Sequence, residues 1–196
     1  VGPSHGKGGN YTETLSTNHY YNTGPSAFGN ASIVAVNNSS SNTNGNNHNT
    51  KLYVDNNLVF DSSYYSYELL KIPFTIGPQA LNNSVNVKHN IANIGQGTDY
   101  QHVSSISIWY PHSGNLSNYS EINFGLSHNN SQSKSRFTIS QLSNNLTNPS
   151  LYMMDDIVRK IPLTQNGSSW EIVTPPPSGD TALYYLCDAN NYNVVT

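Results

Sequence analysis

The chain has 196 residues, of which 35% are hydrophobic and only 10% charged, with a formal net charge of −3 at pH 7. Both fractions lie below the usual share for a globular domain, and Asn, Ser, Thr and 14 Tyr make up the difference. Eight Lys and Arg scattered singly leave no basic footprint for nucleic acid, and no run of about 18 apolar residues is present to span a membrane.

Residues 1–30 are rich in Gly, Asn, Ser, Thr and Tyr, with almost no aliphatic side chains beyond Val1 and Leu15. Such a segment cannot build a core of its own. It predicts one extended strand over Tyr11, Thr12, Glu13, Thr14, Leu15 and Ser16, between Gly8-Gly9 and Asn22-Thr23-Gly24-Pro25. The start Val1-Gly2-Pro3, without Met or an apolar leader, reads as a mature product after signal-peptide removal, so the expected location is secreted and extracellular, on the cell surface.

From Ala31 onward, short β-type runs alternate with polar turns. Ile33–Val36 is followed by a polar stretch, 37–50, that predicts an exposed loop. Lys51–Val54 and Leu58–Phe60 flank Asp55-Asn56-Asn57 as a hairpin. Further strands are predicted at Tyr64–Leu70, Pro73–Ile76, Val85–Ile94, Val103–Tyr110, Ile122–Leu126 and Arg136–Leu142. Leu151–Ile161 is the one place where helix is arguable, and Ser169–Thr174 and Thr181–Cys187 return to strand character. Roughly ten short strands predict an all-β chain: a single β-sandwich head, immunoglobulin-like or jelly-roll-like, over 31–196, with an extended tail strand in 1–30. Ser135–Ser140 and Asp180–Tyr185 resemble the strands that precede and bear the second cysteine of immunoglobulin variable domains. Leu186 is inserted before Cys187 and no first cysteine exists, so the likeness implies a sandwich corner and not antibody-like function.

The densest motif is the glycan acceptor Asn-X-Ser/Thr, at Asn10, Asn30, Asn37, Asn38, Asn82, Asn115, Asn118, Asn129, Asn145 and Asn166. Covalent N-linked sugars would keep so uncharged a surface soluble. No other cofactor is expected. Seven histidines show no zinc spacing, and most of them read as surface or turn residues. Asp155-Asp156 on a strand would point to opposite faces, and Cys187 sits in an apolar run as a buried small residue. With no nucleophile elbow, phosphate loop or dinucleotide fingerprint, catalysis is not expected. Tyr20-Tyr21, Tyr64-Tyr65, Trp109-Tyr110 and Trp170 fit core or subunit contacts better than sugar stacking.

A strand-forming tail without a core, ahead of a sandwich, can complete the sheet of a neighbouring copy and protect its edge. Repeated head to tail, the contact gives an open linear homopolymer of identical subunits. In this arrangement, with tail, β-head, abundant sequons and no pilin-type helix, the whole chain resembles the subunits of the thin "thread" filaments on thermoacidophilic archaea. That resemblance implies a cell-surface filament assembled by donor-strand complementation, a role in adhesion or biofilm through contact with other cells or surfaces, and isopeptide links between neighbours. Lys7 is the candidate amine for such a link, with Lys51, Lys71, Lys88, Lys134 and Lys160 as alternatives. The rival readings are a secreted lectin-like module and a viral coat or spike protein.

Overall fold

A computed structural model describes residues 4–6, 9–37, 46–92, 99–127, 132–179 and 181–191. The chain is all-β: among the described residues the only helical pieces are the 3₁₀ turns Pro78–Ala80 and Ala189–Asn191. It divides into two compact units, Val1–Ser113 and Gly114–Thr196. The sequence reading placed its one boundary at 30/31 instead, a position that lies inside a strand. The physical reason is that the apolar residues collect into two separate cores.

Among the described residues the first unit contains eight strands: β1 Ser4–Gly6, β2 Asn10–Ser16, β3 Ala27–Ala35, β4 His48–Val54, β5 Asn57–Tyr64, β6 Leu69–Ile76, β7 Ser84–Ile91 and β8 Tyr100–Trp109. They form two four-stranded antiparallel sheets, in the orders β1-β8-β3-β6 and β2-β7-β4-β5. The pairs β1·β8, β2·β7, β3·β6 and β4·β5 are nested, as if one long hairpin had been rolled up. That is the jelly-roll arrangement, so of the two sandwich types anticipated, this unit adopts the second.

Period-2 alternation dictates which side chains face inward. Ala27, Ala31 and Ile33 of β3, Leu52 and Val54 of β4, Ile72, Phe74 and Ile76 of β6, and Val85 and Val87 of β7 meet between the sheets. Each fully buried aliphatic side chain contributes roughly 1.5–3 kcal/mol. Gly29 lets β3 pass beneath Phe74, since a Cβ there would fall 2.2 Å from the ring. The β4–β5 hairpin closes on Asp55 and Asn56, whose φ angles of 45° and 68° are those of a two-residue type I′ turn.

Among the described residues the second unit contains nine strands: β9 Asn115–Leu116, β10 Ile122–Ser127, β11 Ser135–Ile139, β12 Gln141–Leu142, β13 Pro149–Met154, β14 Arg159–Ile161, β15 Leu163–Asn166, β16 Ser169–Thr174 and β17 Thr181–Asp188. A four-stranded sheet β10-β17-β13-β14 and a three-stranded sheet β11-β16-β15 contribute to one core, with the short parallel pair β12-β9 beside them. The segment 151–161 is strand, not helix. Leu151 and Met153 lie inward on β13, and Leu151 pairs with Ile161 of β14. The segment is two short strands joined by a bend. Cys187 is buried on β17, as its apolar neighbourhood predicted, with its Sγ 3.6 Å from the Ser150 carbonyl oxygen.

Candidate functional site: the N-terminal strand, the glycan acceptors and a buried polar cluster

The strand expected from the tail is β2, one residue longer than Tyr11–Ser16 at its start. It is the edge strand of its sheet and pairs with β7 from Asn10↔Asn90 to Ser16↔Ser84, within its own chain. None of its side chains is buried: Asn10, Thr12, Thr14 and Ser16 are exposed, and Tyr11, Glu13 and Leu15 are half-buried. What holds it is largely hydrogen bonding. Thr14 Oγ1 donates to Asn86 Oδ1 at 2.7 Å, Asn90 Nδ2 donates to Asn10 Oδ1 at 2.7 Å, and the Thr17 amide donates to the Asn83 carbonyl at 2.9 Å. Its inner face, with Tyr11 hydrogen-bonded to Glu13, lines a shallow groove of about 460 Å³ with Val103, Ser105 and Ile106 of β8. A strand fixed by backbone pairing at a sheet edge, and contributing only Leu15 to the rim of the core, can be replaced by an equivalent strand at little cost in packing.

Of the ten sequon asparagines, Asn10, Asn82, Asn118, Asn145 and Asn166 are exposed, while Asn30, Asn37 and Asn115 are half-buried. Asn38 and Asn129 lie outside the described residues. Asn166 Nδ2 donates to Glu171 Oε1 at 3.0 Å, and attachment of a sugar would still leave one amide hydrogen for that bond. Lys7 also lies outside the described residues. Lys71, Lys134 and Lys160 are exposed, and Lys88 stands over the Tyr53 ring at 5.6 Å. Lys51 reaches Asp61 Oδ2 at 3.0 Å on the outer face of β4–β5, where neither group is shielded from water. That hydrogen bond lowers the Asp61 carboxyl below the ordinary carboxylate range and raises the Lys51 amine.

The aromatics divide. Tyr64 is buried, Tyr20 and Tyr110 pack against the first core, and Trp170 packs against the second. Tyr21, Tyr65 and Trp109 are exposed, and Trp109 stacks on Phe28 across β8 and β3 with ring centroids 6.4 Å apart. In the second unit a cleft of about 610 Å³ brings Trp170 together with Gln141, Asn144 and Gln165.

One expectation about polar residues needs correction. The stretch 37–50 is not all exposed loop, because Asn47, His48, Asn49 and Thr50 are buried. Two of the histidines, His48 and His89, are completely buried. They belong to a polar cluster inside the jelly roll. His48 Nδ1 lies 2.7 Å from Asp99 Oδ1, and its Nε2 lies 2.8 Å from the Asn37 carbonyl oxygen. The Asn37 carbonyl can only accept, so Nε2 carries a hydrogen, and the short Nδ1–Oδ1 contact holds one proton between His48 and Asp99. Asp99 Oδ2 also accepts from the Asn49 amide at 3.0 Å.

Gln101 of β8 sits at the centre of this cluster. Its Nε2 faces only acceptors: the Asn49 carbonyl oxygen at 3.2 Å and both Asp99 carboxylate oxygens at 3.1 Å. That fixes the amide orientation, so Oε1 takes the hydrogen bond from Thr50 Oγ1 at 2.6 Å and the contact with His89 Nε2 at 2.9 Å. Tyr64 Oη completes the cluster, 3.0 Å from Thr50 Oγ1, and burial pushes its hydroxyl up to about 12. A sequence signal for these positions existed in the alternation His48-x-Thr50-x-Leu52-x-Val54, Val85-x-Val87-x-His89-x-Ile91 and Gln101-x-Val103, which sends the polar residues to the same face as the aliphatic ones.

No group of three or more His, Cys, Asp or Glu suited to a metal ion occurs among the described residues. Asp155 accepts from the amide and hydroxyl of Ser178, which lower its carboxyl pKa, and Asp156 is exposed. No described helix is long and apolar enough to cross a membrane.

No family model matches the chain, and no curated protein matches it in sequence. Among solved structures, dimeric latent PorU from Porphyromonas gingivalis aligns with a TM-score of 0.61 at 13% identity. The alignment covers 98% of this chain and 19% of PorU, so this chain spans about a fifth of that one. At such identity the likeness is one of fold alone.

In the second unit, Asp188 Oδ2 accepts from the Thr147 amide at 2.6 Å and the Thr147 hydroxyl at 3.0 Å, and Oδ1 accepts from the Asn190 amide at 2.8 Å. The Asn190 amide is the largest of the causes that hold this carboxyl below its ordinary value. A depressed carboxylate stabilises the fold above its unfolded pKa, about 4, and that contribution is lost as pH falls through the lower folded value. Acid titration followed by Trp170 fluorescence should therefore show the second unit loosening below about pH 4. Asp188→Asn should already be weakened at pH 7 and flatter across the acid limb. An identical acid profile for the two proteins would remove Asp188 as the cause.

Proposed function

We propose that the chain is a structural subunit of an extracellular, N-glycosylated cell-surface filament, with β2 as the exchangeable strand that joins one copy to the next. The observation that carries this reading is the position of β2: an N-terminal edge strand with full backbone pairing and no buried side chain. In a filament, β2 of one subunit takes the place along β7 of its neighbour, and the contact repeats head to tail. Exposed sequons on both units would carry sugars outward, which suits a surface so poor in charge. Adhesion or biofilm formation is the role proposed for the polymer, and Lys7 remains the proposed amine for an intersubunit isopeptide bond.

A second reading, a secreted carbohydrate-binding module, is favoured by the cleft that sets Trp170 among Gln141, Asn144 and Gln165. The two readings separate on assembly state. Purified from its native surface, or refolded at high concentration, the full chain should form linear polymers. A chain lacking residues 1–17 should stay monomeric and capture an added peptide of residues 9–17. Polymers that persist without residues 1–17, or a full chain that is monomeric under all these conditions, would rule out strand exchange through β2.

A further inference from the structure

We propose that Thr50 and Gln101 are joined by an intramolecular ester bond that staples the two sheets of the jelly roll to each other. Thr50 lies on β4 in one sheet and Gln101 on β8 in the other, and their side chains meet in the interior with both residues at 0% exposure. Thr50 Oγ1, a nucleophile once its proton is removed, is 2.6 Å from the carboxamide oxygen of Gln101. The polar groups around the pair are those an acyl transfer needs.

His89 Nε2, 2.9 Å from Oε1, is placed to donate to the oxygen on which negative charge develops as the hydroxyl adds to Cδ. Asp99 holds the amide nitrogen through both carboxylate oxygens and is itself paired with His48, so a proton source adjoins the atom that must leave. Thr50 Oγ1 bonds to Gln101 Cδ, and the hydroxyl proton passes to Oε1. As the carbonyl re-forms, the Cδ–Nε2 bond breaks and the nitrogen takes a proton from the His48–Asp99 pair. The proton released from Oε1 replaces it. The sum is hydroxyl plus carboxamide giving ester plus ammonia, with no oxidant, reductant or co-reactant.

The arrangement also explains why so many polar groups occupy the interior, where an unreacted hydroxyl and amide add nothing that aliphatic packing could not supply. A chain whose one cysteine forbids an internal disulfide has few other ways to bridge its sheets covalently. The inference does not depend on strand exchange, since all its groups lie within one jelly roll.

The test is the intact mass of the full chain made in a host that does not glycosylate. The folded protein should be lighter than its sequence by one ammonia, about 17 Da. Digestion should yield one branched peptide containing both Thr50 and Gln101, which alkaline hydroxylamine cleaves. Thr50→Val should have its full mass. An unmodified mass for the folded wild-type chain, a deficit that persists in Thr50→Val, or a bridge that resists hydroxylamine would each overturn the proposal. The branched peptide from the wild-type chain decides the matter even where the variant fails to fold.

Discussion

Asp99→Ala should unfold the jelly-roll unit under conditions where the wild-type chain is stable, at a cost of about 3–5 kcal/mol. The carboxylate accepts from His48, from the Asn49 amide and from the Gln101 side chain, all in the interior. Removing it strands the buried His48 imidazole and the buried Asn49 amide. The Lys51–Asp61 pair a few residues away gives the contrast: both groups are partly solvated, so Asp61→Ala should leave the unfolding curve almost unchanged. The chain has two tryptophans, and they fall one in each unit, so Trp109 reports on this unit and Trp170 on the other. Denaturant unfolding of Asp99→Ala followed at Trp109, in a Trp170→Phe background, should show the midpoint collapse. A shift no larger than that of Asp61→Ala would mean that the buried cluster is not what holds the sheets in register.

Tyr184→Ala should have a similar effect on the second unit, about 3–5 kcal/mol, for a different reason. The ring is completely buried on β17 and stacks on Phe124 of β10 with centroids 5.7 Å apart. It meets a core that includes Leu151, Met153 and Ile172. Truncation removes the largest completely buried side chain among the described residues and leaves a cavity in that core. Burial also raises the Tyr184 hydroxyl, the direction expected for a phenol kept out of water. Tyr184→Phe, which keeps the ring, should lose much less. Unfolding followed at Trp170 in a Trp109→Phe background measures both variants. Equal losses for the two would shift the weight from the ring to the hydroxyl.

The two variants together examine the division at 113/114. With each substitution placed in both single-tryptophan backgrounds, independent units should show one tryptophan signal moved and the other spared. Coupled loss of both signals would show that the two cores stabilise each other.

The edge strand illustrates where sequence reading succeeds and where it stops. Tyr11–Ser16 was legible as a strand because its flanking Gly, Asn and Pro residues end regular structure, and its poverty in aliphatics foretold that it would bury nothing. Its partner was not legible: β7 is some seventy residues away, and one antiparallel edge looks much like another. The segment 151–161 shows the opposite failure, since a strand, a bend and a second strand can mimic helical spacing when each is short.

The sequence by itself determined that this protein is all-β, that its surface is poor in charge and dense in acceptor asparagines, that its cysteine is buried, and that the strand at 11–16 is poor in aliphatic side chains. These follow from composition and from period-2 alternation, which are local properties. Only the tertiary structure decided that there are two cores, that the first is a jelly roll with β2 seated along β7, and that His48, Thr50, His89, Asp99 and Gln101 converge. Each of those residues points inward by the same alternation that buries its aliphatic neighbours. That they point at one another depends on the nested pairing of strands far apart in the chain, and no local pattern encodes it.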